Sequence, residues 1–439
     1  MATNTVRPAV LRPGDESRGK AWGFTGLLMF LYMINWADKA VFGIIAQPVA
    51  KEFGLTSAQI GLIGSAFFLT FTIGGLFAGL LNKWMSLRWA LVLLSVGWAV
   101  SMVPLVVVAG FAMVLISRMF LGLTEGPSSA LVHTGVYSWH PTEKRSFPSA
   151  CISVSGSLAK VLFAPALAVV ATNWGWRAAV LTLAAVGVIW CGAWLLLWRE
   201  GPYGGRTPAA DDPENADASP APDTTTTRVP WVTIFRTPTF LGGAAAVFSM
   251  YAVSTVILTW LPSYFEVGLG YTRVQAGAMF GIPSIAVFVI LLLTTSIGDR
   301  LLVRGASSRV IRGIVPSIGI LLCGLALVTL PYIHNPIIAV VLVSLGYGLG
   351  AIAFPLLNSG LSEICPPRQV AGALGIFLAI MSLGGLFAPY LMGRLVDAAP
   401  DAATGYASAF QILGIINLVC AAIALLTVNP VRDALRLAR

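Results

Sequence analysis

The sequence predicts an all-α integral membrane protein, twelve transmembrane helices arranged as two pseudo-symmetric six-helix bundles. Three observations carry this. Of the 439 residues, 57% are apolar and only 10% charged, against about 25% charged in ordinary soluble chains. The apolar residues come in runs of about 20 or more, the length that crosses a hydrocarbon core of roughly 30 Å at 1.5 Å per residue. A polar stretch then divides these runs into six and six.

The first six runs are 22–46, 56–81, 88–108, 111–138, 146–171 and 176–198, and the second six are 240–264, 273–298, 309–331, 336–359, 367–392 and 406–427. Backbone polar groups in lipid must be satisfied within the element, so each run is expected to be helical. The Gly and Ser residues inside them are positions of close helix approach. The period-2 alternation that a membrane barrel needs is missing.

From Arg199 to Arg236 the composition turns to Gly, Pro, Ala, Asp and Thr, with Pro220-Ala221-Pro222 and a Thr224 to Thr227 run. Such a segment cannot bury a core and is expected to be a linker. The expected organisation is a tail at 1–21, a bundle at 22–198, a linker at 199–239, a second bundle at 240–427 and a tail at 428–439. A weak repeat crosses the divide: Glu143-Lys144-Arg145 after the fourth run matches Pro367-Arg368 after the tenth.

A formal charge of +9 could suggest nucleic acid, but its distribution argues for a membrane. Twenty of the 27 Lys and Arg residues lie on the tails and every second loop, whereas the opposite loops hold only Lys51, Arg177, Arg273 and Arg394. This positive-inside bias predicts both termini in the cytoplasm of a multi-pass protein of the cell (inner or plasma) membrane, with no nucleic-acid partner. The first run is too long for a signal-peptide core, so a retained span is expected. The cysteines Cys151, Cys191, Cys323, Cys365 and Cys420 show no metal-ligand spacing and are expected to pack as small hydrophobes.

Specific motifs sharpen the reading. The fourth run and its exit read Arg118-Met119-Phe120-Leu121-Gly122-Leu123-Thr124-Glu125-Gly126-Pro127, then Trp139-His140-Pro141-Thr142-Glu143-Lys144-Arg145. With them go Asn35-Trp36-Ala37-Asp38-Lys39, Gly175-Trp176-Arg177 and Trp260-Leu261-Pro262-Ser263-Tyr264. Together these resemble the major facilitator superfamily, and within it the anion:cation symporter family of galactonate, hexuronate and aromatic-acid transporters, sialin and vesicular glutamate carriers. The resemblance covers nearly the whole chain and implies two six-helix halves around a midplane site. One loop departs from it: the family's Gly-x-x-x-Asp-Arg reads Ala78-Gly79-Leu80-Leu81-Asn82-Lys83 here, with an amide in place of the carboxylate, while the second half keeps Gly298-Asp299-Arg300.

Away from the ends of the runs five charges remain, Asp38, Lys39, Arg118, Glu125 and Lys160, all in the first half. Each costs at least about 2.5–3.5 kcal/mol at the centre of a membrane helix and is therefore a functional candidate. Arg118 and Glu125, two turns apart, share a helix face. Asp38 and Lys39 point about 100° apart, so one can meet a neighbouring helix while the other faces a cavity. Protonating either carboxyl leaves an excess of positive charge, and a buried excess calls for an anion. The resemblance implies that the carboxyls couple protons and that the basic residues of the first and fourth runs hold substrate; Lys39 stands where many relatives have Arg. Arg118 can equally be a fixed partner of Glu125 or of a backbone carbonyl. Lys160 has no counterpart in the resemblance, and either binds a second acidic group or neutralises Glu125.

Polar and aromatic residues complete the candidate site. Tyr32, Asn35 and Lys39 share a face by i, i+3, i+7 spacing, and Tyr251, Asn358 and Ser382 contribute from the second half. His133 is expected to be structural. The chain lacks a phosphate-binding Gly-rich loop, a nucleophile elbow and an ATPase domain, so neither an enzyme nor a cofactor is expected. The expected function is proton-coupled symport of a small organic anion, such as a sugar acid or aromatic acid, by a monomer in the lipid bilayer. A metabolite or drug exporter of the same fold, or a ligand sensor that does not transport, stays open.

Overall fold

The computed structural model describes residues 18–107, 110–140, 146–202, 229–333, 335–366 and 369–437. Most of the expected N-terminal tail, most of the linker, and the paired loop motifs at 143–145 and 367–368 lie outside the described residues. The described chain is almost wholly helical. The first half contains α1 (Arg18–Phe53), α2 (Ser57–Leu76), α3 (Ala78–Trp84), α4 (Leu87–Val107), α5 (Phe111–Glu125), α6 (Ser128–Trp139), α7 (Ser146–Trp174) and α8 (Trp176–Leu197). The second half contains α9 (Trp231–Phe235), α10 (Pro238–Ser263), α11 (Arg273–Met279), α12 (Ile282–Val303), α13 (Val315–Thr329), α14 (Pro336–Ala351), α15 (Ala353–Ile364), α16 (Val370–Ala398), α17 (Ala402–Thr427) and α18 (Pro430–Leu437).

Among the described residues, eleven helical segments are long and apolar enough to cross a membrane. The expected run 111–138 is instead split into α5 and α6 at Gly126-Pro127. Pro127 has no N–H to give the carbonyl one turn back. Gly126 lies so close to α2 that a Cβ there would collide with the Phe71 carbonyl and the Gly75 nitrogen. Gly74 and Gly122 face the same seam, Gly74 against the Leu123 backbone and Gly122 against Phe67 and Thr70. Small residues on both helices thus bring α2 and α5 into backbone contact.

Two start signals recur in the halves. Gly54-Leu55-Thr56-Ser57-Ala58-Gln59 opens α2 and Gly270-Tyr271-Thr272-Arg273-Val274-Gln275 opens α11. In each, the glycine has positive φ (63° and 74°), and the Thr and Gln form a reciprocal capping box. Beyond the second bundle the expected tail is helical: in α18 the buried Asp433 accepts from Thr239 N at 2.9 Å, capping α10. Burial alone would raise the Asp433 carboxyl, but Arg432 and Thr239 hold it below the ordinary carboxylate range.

The halves meet along α2 and α16, α1 and α10, and α7 with α11 and α12. Glycines again set the spacing, with Gly43 against Leu258 and Thr259, Gly61 against Pro389, and Gly277 against Ala164 and Ala168. These contacts lie in the C-terminal half of α1, the first turns of α2 and the short helix α11. There the two Asp397 carboxylate oxygens, carried by α16, accept from Ser57 N at 2.8 Å and Ala58 N at 2.6 Å. One half thereby satisfies the first free N–H groups of a helix in the other, adding to the cap from Thr56.

Replacing Asp397 with Ala is expected to loosen that junction. An N-cap interaction is worth about 1 kcal/mol, which shifts a two-state equilibrium by roughly fivefold. The measurement is the distance distribution between spin labels at the tips of α2 and α16: a new, longer population is expected, and an unchanged distribution would show that glycine packing alone holds the seam.

Candidate functional site

The site is assembled on α1. Tyr32, Trp36, Lys39 and Gly43 follow one another at helical spacing on the face turned to the second half, where Gly43 packs on Leu258 and Thr259 of α10. Lys39 lines a cavity between the halves together with Phe42, Phe67, Arg118, Leu258 and Thr259. The adjacent Asp38 turns the other way, into a separate narrow recess inside the first half, lined by Ile34, Ser95, Trp98, Met102 and Gly187. There Asp38 Oδ1 and Trp98 Nε1 are buried without hydrogen-bond partners among the described residues.

Lys39 Nζ lies 3.1 Å from Glu125 Oε2, an ion-pair contact rather than an aligned hydrogen bond, with both side chains at most 5% exposed. It also donates to Asn35 Oδ1 one turn earlier, and sits against the rings of Trp36 (5.0 Å) and Phe71 (4.8 Å). Glu125 is the last residue of α5, so the break at Gly126-Pro127 sets the height at which its carboxylate meets α1. Arg118, 3% exposed, does not pair with Glu125. Its Nη1 donates to the Asp38 backbone oxygen at 2.9 Å, its guanidinium lies 4.6 Å from the centre of the Phe42 ring, and its Nε has no acceptor.

Lys160, on α7 and 8% exposed, lies 5.4 Å from the Trp36 ring centre. Among the described residues it makes no ion pair, and Glu125 takes Lys39 instead. Gly156, one turn before Lys160, packs directly on the Trp36 indole, where a Cβ would be 2.8 Å from the ring. Trp36 therefore lies against two ammonium groups, with its own Nε1 buried and unpartnered.

The second half adds hydroxyls. The phenol groups of Tyr251 and Tyr347 on the far side and Tyr32 on the near side lie within electrostatic reach of one another, and Tyr347 is a neighbour of Ser254, whose hydroxyl donates to the Met250 carbonyl. Tyr251 also packs edge-on to Phe68 and Phe354. Asn358 keeps a buried Oδ1 without a partner. Ser382 spends its hydroxyl on the Leu378 carbonyl of its own helix, and His133 likewise bonds to the Ser129 carbonyl; neither is tied to the charged cluster.

The geometry thus brings together Lys39, Glu125, Arg118, Asn35 and Lys160, and places Asp38 behind them. Trp36 and Tyr347 were missed from the sequence alone. Trp36 had a signal, since it lies one turn from Tyr32 on the Lys39 face; Tyr347 sits in a run too apolar to single it out.

The sequence profile described as Major Facilitator Superfamily matches residues 28–368, and again 306–438. The chain belongs to that superfamily. Among its similar relatives are a probable galactarate/D-glucarate transporter of Bacillus subtilis, 25% identical over 89% of this chain and 89% of the relative. A probable sulfoacetate transporter of Cupriavidus necator is 26% identical over 92% and 93% of the two chains, and a D-galactonate transporter of Escherichia coli 24% identical over 90% and 93%. These relatives agree with the anion:cation symporter branch of the superfamily. Among solved structures, a bacterial homologue of the lysosomal transporter Spinster, inward-facing and occupied, superposes with a TM-score of 0.77 at 17% identity, covering 96% of this chain and 99% of that one. The chain is a multi-pass membrane transporter, not an enzyme.

Proposed function

We propose that this superfamily member is a proton-coupled symporter for a small organic anion, a carboxylate such as a sugar acid, working by alternating access of its two halves. The observation that carries the reading is the buried Lys39–Glu125 pair, beside Arg118, at a cavity between the halves. Protonating Glu125 removes the partner of Lys39 and leaves Lys39, Arg118 and Lys160 with one fewer compensating charge. An anion then becomes the favourable partner. Asp38, sharing its backbone carbonyl with Arg118, is proposed as a second proton site. Tyr32, Asn35, Tyr251, Asn358 and Ser382 are proposed to surround the substrate's polar groups. The printed names of the relatives, galactarate/D-glucarate, sulfoacetate and D-galactonate transporters, support an anionic substrate. The positive-charge bias supports cytoplasmic termini in a plasma membrane, and the enclosed site within one chain supports a monomer.

The test is uptake by purified protein in proteoliposomes with the membrane potential clamped at zero. An acidic exterior is expected to drive accumulation of labelled galactarate or galactonate, by about tenfold per coupled proton for each pH unit. Accumulation driven only by an acidic interior would indicate an exporter, and binding with no exchange a sensor.

A further inference from the structure

Lys160 is a buried ammonium with no hydrogen-bond acceptor or carboxylate beside it among the described residues, and it lies against Trp36. The neighbouring helix α1 carries further unmet donors. Trp36 Nε1 and Asn35 Nδ2 are both buried without partners, and Lys39 approaches the same indole at 5.0 Å. Unmet buried donors cost free energy unless a ligand supplies the acceptors. The other two cations near the centre each have a partner within the protein: Lys39 has Glu125 and Asn35, and Arg118 has the Asp38 carbonyl.

We propose that Lys160 and Trp36 form a second acid-group subsite, so that the transported anion is a dianion, with one acid group on Lys160 and Trp36 Nε1 and the other against Lys39 and Arg118. This rests on the organic-anion reading above and narrows it to a substrate with acid groups at both ends. A monoacid can satisfy Lys39 and Arg118 but leaves the Lys160 ammonium and the indole N–H without acceptors. The site then discriminates by the penalty on its own unpaired groups as well as by the attraction to the second acid group. The indole, within about 5 Å of both cations, provides a flat surface along which a short carbon chain can lie.

The test uses matched probes that differ in one acid group: galactarate and galactonate, adipate and hexanoate, sulfoacetate and acetate. Binding to the purified full-length protein is measured for wild type, Lys160→Met, Lys160→Arg and Trp36→Phe. Wild type is expected to prefer the diacid of at least one pair. Lys160→Met is expected to lose about ten- to hundredfold in affinity for that diacid, the worth of a charge-assisted hydrogen bond, while its monoacid affinity changes by less than about threefold. Lys160→Arg is expected to retain the preference, and Trp36→Phe, which keeps the ring but removes Nε1–H, to lose about three- to tenfold for the diacid. Retained monoacid binding shows that Lys160→Met is folded. If Lys160→Met fails to fold, loss of the preference in Trp36→Phe decides in its place.

Equal wild-type affinity within every pair, or a parallel loss for both members, overturns the dianion subsite and leaves the anion-transport reading standing. Binding of neither member of any pair by wild type overturns both.

Discussion

In proteoliposomes with the outside acidic, the Glu125→Gln protein is expected to bring its substrate only to equal concentrations on the two sides, where wild type accumulates it about tenfold per coupled proton and pH unit. The amide cannot change charge, yet its carbonyl oxygen can still accept from Lys39 Nζ, which wild-type Glu125 meets at 3.1 Å. Lys39 also keeps Asn35, so the folded protein survives and exchange of labelled for unlabelled substrate continues. Glu125→Leu separates coupling from folding. It abandons a buried ammonium, which costs about 3–5 kcal/mol, and is expected to lower the yield of folded protein as well as uptake. Asp38→Asn should also impair acid-driven uptake, but through a different part of the molecule, since Asp38 faces the space shared with Trp98 and Ser95. Full acid-driven accumulation by both Glu125→Gln and Asp38→Asn would remove these carboxyls from the coupling mechanism.

How much of this was legible in the sequence depends on whether the signal is local. Membrane helices are specified by composition over a window of about 20 residues, so the runs around α4, α8 and α17 read directly as spans. The split of the fourth run was not legible from Pro127 alone, because Pro48, Pro104, Pro165 and Pro389 all lie inside continuous helices. What differs at the split is Gly126, pressed against the α2 backbone, a tertiary contact that the local pattern does not contain. The repeated Gly-x-Thr-x-x-Gln starts at 54–59 and 270–275 were legible and stronger than the loop echo at 143–145, because each residue type there has a mechanical role in the cap.

The candidate site divides in the same way. The five intramembrane charges announce themselves because lipid makes them expensive, and helical spacing places Arg118 and Glu125 on one face. Partner choice between helices is another matter. Spacing within α5 leaves Glu125 free to meet either Arg118 or a neighbour; the structure gives it Lys39, and sends Arg118 to a backbone carbonyl. The aromatic residues that sit against the cations, Trp36, Phe42 and Phe71, carry no sequence signal of that role in a chain already rich in apolar residues.

The Arg118→Gln protein is expected to bind substrate about a hundredfold or more weakly, the worth of two charge-assisted hydrogen bonds from one guanidinium. Arg304→Gln, an exposed substitution at the end of α12, is expected to leave affinity unchanged. Arg118 has two roles that this substitution separates. Its Nη1 holds the Asp38 carbonyl at 2.9 Å, and a glutamine N–H can do the same without charge. Its remaining donors line the cavity between the halves with Thr259 and Leu258, and those are lost for an anion. Arg118→Lys restores the charge but neither the planar fork nor the stacking on Phe42, so intermediate affinity is expected. Binding measured on monodisperse protein, with thermal unfolding alongside, resolves the two roles. A folded Arg118→Gln protein with wild-type affinity would confine Arg118 to anchoring α1, and leave Lys39 and Lys160 as the groups that must hold the anion.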